Sequence, residues 1–398
     1  MSGTPHTAAI DAWVAAHGDE LVAWRHHLHR HPELGHREVG TTAFVADILR
    51  EAGLEPVILP GGTGLTVDLG SPASGTTATR TVGLRADLDA LPVQEETGLS
   101  FASEVDGVMH ACGHDVHTAT LLGATLALAS LPELPGRVRV LFQPAEELMT
   151  GAIAAVEAGV MTGVDRIFML HVSPQLRTGT IGVASGAATS SSDAIGIRFT
   201  SLGGHSSRPQ DTGDLVYAIG HVATGLPGLL TRRLDPLHAG VLVWGQVQAG
   251  HAANVIPTTG LLRGTLRLGN RQAWDEAPAL VAELVDALLA PTGVGHDLDY
   301  ARGVPPVIND AESVRIARGV AADALGPDGF VELSQAGAGE DFAYYLDHAP
   351  GALVSLGVWD GAGELTTVHR GTFRADDAAL PVGVRVYAGL ALASLLGP

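Results

Sequence analysis

Apolar positions in the first fifty residues recur at helical spacing. They predict one opening helix over Ala8–Arg30 and a second over Thr41–Ala52, stopped by Gly53 as its C-terminal cap. Beyond these, short apolar runs alternate with helix-length segments. Thr81–Arg85, Arg137–Gln143 and Arg166–His171 read as strands, and His114–Ser130 and Gly151–Ala158 as helices. Such alternation predicts an α/β domain with a mostly parallel sheet and helices on both faces.

The rhythm changes after Gly182. Asp193–Thr200 alternates like a strand, Gly213–Leu229 like a helix, and Ala239–Val247 and Gly260–Leu268 like two further strands. An amphipathic helix over Gln272–Leu289 and a strand over His296–Ala301 complete a β-α-β-β-α-β order, the ferredoxin-like α+β pattern. We expect residues 187–301 to form a separate inserted domain within a first domain built from 1–186 and 302–398. Pro305-Pro306 marks the return, the chain ends in a helix over Ala378–Leu396, and Ser71–Thr81 reads as a loop.

Composition narrows the function. The 398 residues carry a formal net charge of −20, spread along the chain, which disfavours nucleic acid as a partner. There is no lysine; all 23 basic residues are arginine, so Schiff-base, pyridoxal-phosphate and P-loop chemistry are excluded. The single cysteine cannot form an intrachain disulfide. We see no signal peptide over Met1–His17 and no uninterrupted apolar run of about 18 residues, so a cytoplasmic location without a membrane partner is the expectation.

That cysteine sits in Met109-His110-Ala111-Cys112-Gly113-His114-Asp115-Val116-His117. A thiolate and an imidazole two residues apart can reach one cation from a single turn. Asp87 and Asp89 lie upstream, Glu146-Glu147 downstream, then His171 and His369; all are groups that hold or serve a hydrolytic metal. Taken alone, Glu146-Glu147 reads as a solvated loop pair and His171 as a core histidine; Pro144-Ala145 and the neighbouring ligand types change that reading. If the backbone bends, one carboxylate can bind metal while the other acts as general base. Asp87 or Asp89 can orient a ligand histidine through its second nitrogen. His27 and His31, four apart, read as a solvated helix end. In the inserted domain His205 and Asn254 sit on loops and Arg267 ends a strand; each is as readily structural as functional, Arg267 being suited to grip a carboxylate.

The strings RHHLHRHPE (Arg25–Glu33), RADLDALP (Arg85–Pro92), MHACGHDVH, FQPAEE (Phe142–Glu147), GGHS (Gly203–Ser206), NVIP (Asn254–Pro257), GTLR (Gly264–Arg267) and GEDF (Gly339–Phe342) occur in this order. Through them the chain resembles the aminoacylase and amidohydrolase branch of the metal-dependent zinc peptidases, which includes hippurate and indole-acetyl-amino-acid hydrolases. The resemblance implies metal ligands Cys112, His114, Glu147, His171 and His369, with Glu146 as general base. It implies two divalent ions per subunit (zinc, or manganese, cobalt or nickel), with Cys112 bridging them. It makes the inserted domain a lid and dimerisation domain of a homodimer, delivers His205 in trans to the oxyanion, and puts Asn254 and Arg267 on the substrate. Two departures stand out. His369 is followed by Arg370-Gly371-Thr372-Phe373 where the family usually has His-x-Pro, and Arg85 stands where the wider superfamily has a histidine.

The expected activity is hydrolysis of the amide of an N-acyl amino acid. Alternatives are a dipeptidase or carboxypeptidase using the same site, a cysteine-nucleophile hydrolase built on Cys112, and a non-catalytic metal-binding protein. Glu146 argues against the last, because a mere binder needs no spare carboxylate.

Overall fold

The computed structural model describes residues 5–70, 80–235 and 240–397. The chain forms two compact units. The first comprises Met1–Ala188, Asn309–Ser334 and Asp341–Pro398; the second comprises Thr189–Ile308 and Gln335–Glu340. The second unit thus runs past Pro305-Pro306 and includes a short return segment that carries no signal in the hydropathy pattern.

The first unit is built on an eight-stranded sheet, in the order Val57–Ile58, Leu65–Leu69, Arg137–Gln143, Thr81–Asp87, Arg166–Arg177, Gly351–Trp359, Ile181–Ala184 and Phe330–Leu333. The four central strands, Arg137–Gln143 to Gly351–Trp359, are parallel to one another. Antiparallel pairings flank them at Leu65–Leu69 and Ile181–Ala184. Thr81–Asp87 is buried at every position, as expected of a parallel strand covered on both faces. The helix His114–Ala129 packs against Gly18–Arg30 and Ala379–Leu396. It is buried nearly all round, so its sequence shows no polar face.

The opening helix is two helices, Pro5–Ala16 and Gly18–Arg30. The break falls at His17 (φ −117°, ψ 17°), whose ring donates to the Trp13 carbonyl at 2.8 Å and stacks on the Trp13 indole. Gly18 weakens continuation, and Asp19 and Glu20 favour a fresh helix N-terminus. The next helix spans Val39–Glu51; Gly53 follows its cap at φ +77°, and the Leu54 N–H returns to the Leu49 carbonyl. Within the expected loop Ser71–Thr81, residues 71–79 lie outside the described residues, and Thr81 opens a strand.

Ala379–Leu396 is long and apolar enough to cross a membrane by length and composition, although Arg385 interrupts its apolar run. Two thirds of it (67%) is buried inside the protein, as in a core helix, and its Arg385 pairs with Asp11 at 2.6 Å.

The second unit has a four-stranded antiparallel sheet, in the order Gly240–Ala249, Thr259–Leu268, Asp193–Thr200 and Gly295–Ala301. Its two helices are Leu215–Arg233, capped by Asp214, and Arg271–Leu289, capped by Asn270. This is the ferredoxin-like strand order, with Ile195, Ile197 and Phe199 buried against the helices.

Candidate metal centre

All six residues implied as ligands or base fall in the first unit. Cys112 and His114 flank Gly113, which adopts φ +78° at the start of the helix His114–Ala129. A side chain at this glycine would collide with Val172, its Cβ lying 2.6 Å from a valine methyl. The tight entry folds Cys112 back over the helix start, and both Cys112 and His114 are buried.

The strand Arg137–Gln143 ends in a sharp bend. Ala145 takes φ +53°, a left-handed conformation unusual for a residue with a Cβ, and beyond it the carboxylates of Glu146 and Glu147 come within 4.8 Å of each other and of His114. Met149 (φ +57°) and His369 (φ +65°) are strained in the same way, and such strain concentrates at functional sites. The His369 N–H is tied to the Ala111 carbonyl at 2.8 Å, which anchors the unusual His-Arg-Gly-Thr loop beside Cys112. His171 does not end its strand: Arg166–Arg177 continues beyond it, and His171 pairs with Ser355 in the parallel ladder. Its Nδ1–H donates to the Val172 carbonyl at 2.8 Å, which leaves Nε2 as the lone-pair nitrogen, 3.6 Å from Cys112 Sγ.

The ligand-type atoms gather in two triads that share the thiol, Cys112–His114–His171 and Cys112–Glu147–His369, each with atoms within 4.8 Å of one another. Glu146 joins His114 and Glu147 in a third cluster at the same spacing. His369 Nε2 lies 3.3 Å from Glu147 Oε1.

The electrostatics suit a cation. Burial alone would raise the Cys112 thiol, yet His171, His114 and His369 bring it down to about 6. Burial would lower His114, yet Asp87, Asp89 and Cys112 hold it well above its ordinary range. Hydrogen bonds to Cys112 and Glu147 push His369 up to about 10. So much negative potential on imidazoles is a place where a divalent ion takes over from protons. Neither ring nitrogen of the buried His114 has a well-aligned hydrogen-bond partner, the nearest carboxylate oxygen standing 3.4 Å from Nδ1, as suits a metal ligand. The residues present therefore fit a dinuclear centre.

Asp87 hydrogen-bonds His117, while its charge also acts on the ligand-type His114. Its Oδ1 lies 2.6 Å from His117 Nδ1, while His114 Nε2 is 3.7 Å from its other oxygen. That second oxygen accepts from Arg85 at 2.8 Å. Arg85, fully buried, also donates to Asp341 at 2.7 Å and to Gln143 at 2.9 Å. The position at which the superfamily has a histidine therefore holds an ion-pair hub beneath the site. His117 has a readable signal, its i,i+3 spacing from His114 on one helix face; Asp341 has only the GEDF string.

A second buried network was not legible. Asp115 Oδ2 accepts from Arg25 at 3.1 Å and His29 at 2.9 Å; His29 also reaches Glu95 at 3.2 Å, and Arg25 pairs with Asp377. Arg25 and His29 share a helix face at i,i+4, the one available hint. His27 and His31 sit on a partly exposed helix end, where the His31 ring donates to the His27 carbonyl at 2.7 Å.

In the second unit, Gly204–His205 and Val255–Ile256 pair as a two-stranded ladder, and the Ser206 N–H donates to the Asn254 carbonyl at 3.1 Å. His205 and Asn254 are thus brought together. Arg267 is not. It lies at the far end of Thr259–Leu268, roughly 27 Å along the strand from Thr259, and donates to the Gly337 carbonyl at 2.8 Å.

A parallel sheet carrying thiolate, imidazole and carboxylate ligands beside a spare carboxylate defines the class: a metal-dependent amidohydrolase. Residues 83–393 match the model of Peptidase family M20/M25/M40, and the chain belongs to that family. It is 37% identical to N-acetylcysteine deacetylase of Bacillus subtilis (strain 168), over 94% of this chain and 96% of the relative. A longer protein of Rhodococcus jostii (strain RHA1) that carries a glutamate–cysteine ligase name is 47% identical over 93% of this chain. The chain spans only 46% of that relative's length. Among solved structures, the Bacillus subtilis YXEP protein, described as a dinuclear metal binding peptidase from the M20 family, superposes with a TM-score of 0.82. It is 36% identical, with 96% of this chain and 99% of that one covered.

Proposed function

We propose that the protein hydrolyses the amide of N-acyl amino acids, releasing a carboxylate and a free amino acid. The observation that carries this reading is the sharing of Cys112 by two ligand triads, with Glu146 beside them as a carboxylate not needed for either. Cys112, His114 and His171 would hold one divalent ion, and Cys112, Glu147 and His369 the other. Ions held there would supply Lewis-acid chemistry, polarising an amide carbonyl and lowering the pKa of water toward ~7. Glu146 takes the proton of the attacking water on its carboxylate and returns it to the leaving nitrogen. His205 donates to the developing oxyanion from the second unit of a partner copy in a homodimer. Asn254, beside His205, contacts the substrate from the partner copy, and Arg267, at the far end of its strand, grips the substrate's carboxylate from the other copy. The N-acetylcysteine deacetylase relative supports the small acyl amino acid as substrate class.

The test is free-amine release from N-acetyl and N-benzoyl amino acids against free dipeptides and C-terminally free peptides. The protein is stripped and then reconstituted with zinc, manganese, cobalt or nickel. We expect turnover of acylated amino acids to exceed that of free dipeptides. Turnover confined to dipeptides would make the protein a dipeptidase. Full activity in a preparation shown to be metal-free would end the metal reading.

A further inference from the structure

Three successive backbone amides at the bend, those of Ala145, Glu146 and Glu147, all end on buried carboxylates. The Ala145 N–H donates to Glu38 Oε1 at 2.8 Å. The Glu146 N–H donates to Asp89 Oδ1 and the Glu147 N–H to Asp89 Oδ2, each at 3.0 Å. The left-handed Ala145 explains the arrangement, because a residue in that conformation turns consecutive N–H groups toward one side and makes a concave anion seat. Here the chain fills the seat with its own carboxylates. Asp89 is 1% exposed and uses both oxygens, so its carboxylate cannot rotate without breaking a charge-assisted bond.

The segment is also fixed at its ends, where Glu147 pairs with His369 and the Ala152 N–H donates to Asp341. Glu146 and Glu147 follow the end of the strand Arg137–Gln143 and precede the helix Gly151–Glu157. Local turn bonds, Met149 N–H to the Glu146 carbonyl at 2.7 Å and Gly151 N–H to the Ala145 carbonyl at 3.2 Å, close the loop on itself. The Leu88 N–H donates to the Gln143 carbonyl at 2.9 Å, and Asp89, one residue further on, carries the tie to the Glu146 and Glu147 amides. The same Asp89 Oδ1 stands 3.4 Å from His114 Nδ1.

We propose that Asp89 is a positioning residue, a buried clip that aims Glu146 and Glu147 through their backbone amides and holds both in register with His114. The inference rests on reading Glu146 as the base and Glu147 as a ligand. Side-chain aim matters on the scale of an ångström in such sites, so a loosened bend costs turnover before it costs substrate binding.

The experiment measures residue-resolved amide exchange of the metal-loaded protein together with kcat and KM. In the wild type the Glu146 and Glu147 amides should be protected by at least about 100-fold over an unfolded chain. In Asp89→Ala their exchange should accelerate about tenfold or more while amides of Thr81–Asp87 hold; kcat should fall about 10–100-fold with KM within about threefold, and metal retention against a chelator should weaken. Asp89→Asn keeps one acceptor and should restore part of both. Unprotected Glu146 and Glu147 amides in the wild type would overturn the proposal, and this needs no variant to fold. So would wild-type kcat in Asp89→Ala. Glu146→Gln separates the two readings: if it stays fully active while Asp89→Ala still frees the amides, the base assignment fails and the clip stands. If it is inactive while Asp89→Ala changes nothing, the clip fails alone.

Discussion

His117 gives its one ring proton to Asp87. Its Nε2 accepts the Val172 N–H at 2.8 Å, so the proton must sit on Nδ1, which faces Asp87 Oδ1 at 2.6 Å. Burial is the largest influence on this imidazole and brings it down to about 4, so it stays neutral at pH 7. Asp87 is held as a carboxylate despite full burial by His114, His117 and Arg85. The helix carrying His114, the strand carrying His171 and the Arg85 hub are thereby tied through one side chain.

Asp87→Ala should therefore destabilise the protein strongly. It leaves Arg85 with one carboxylate fewer and His117 without an acceptor. Removing one partner of a buried ion pair costs about 3–5 kcal/mol. Denaturant unfolding checks this. A loss below about 1 kcal/mol would mean that Asp341 alone satisfies Arg85.

Glu146→Gln and Glu147→Gln should separate base from ligand. Glu146→Gln keeps size and hydrogen bonding but cannot take a proton, so kcat should fall about 10²–10⁴-fold with metal content near wild type. Glu147→Gln should lose metal, because it stands in a triad with Cys112 and His369. Elemental analysis beside kinetics decides; metal lost from the first variant and kept by the second would swap the roles.

The His29 network predicts a pH window for stability. Burial would lower this imidazole, but Asp115 and Glu95 more than reverse it and raise it to about 9. The group is raised above its unfolded value of about 6.5, so its contribution is complete below that pH and is lost as pH climbs through about 9. The whole contribution is roughly 3 kcal/mol. Denaturant unfolding between pH 6 and 9.5 should show a fall in wild type that His29→Gln lacks. Equal pH slopes in the two proteins would refute it.

How much of this was legible follows from distance along the chain. Cys112 and His114 are two residues apart, and Glu146 and Glu147 are adjacent, so their chemistry shows in short strings. The Glu146-Glu147 bend was inferable because adjacent side chains on a straight strand point to opposite faces and cannot both serve one metal site. Partners set by tertiary folding were not: Asp87 with His117, Asp89 with the amides of Glu146 and Glu147, and Asp115 with Arg25 and His29 span from about thirty to ninety residues. The break at His17 turns on a side-chain bond to Trp13, to which hydropathy is blind. Gln335–Glu340 joins the second unit although its sequence, Gln-Ala-Gly-Ala-Gly-Glu, has no periodicity to place it.

His205 presents a donor. Its Nδ1 accepts the Ser207 N–H at 3.1 Å and lies 2.8 Å from the Ser207 hydroxyl, so a neutral ring carries its proton on Nε2, and the residue is exposed. A donor aimed at a developing oxyanion is worth about 10²–10³-fold in kcat when removed. His205→Ala should lose that rate while keeping metal and fold. Because every proposed metal ligand lies in the first unit and His205 in the second, complementation tests the proposed delivery from a partner copy. Inactive His205→Ala and inactive Glu146→Gln are mixed under conditions that exchange subunits. A heterodimer acting in trans has one site with both groups intact and one with neither, so about half the wild-type rate should return per heterodimer. If isolated heterodimers stay inactive, His205 does not act across an interface. A wild-type protein that is fully active as a monomer would remove the trans reading altogether, whatever becomes of the metal centre.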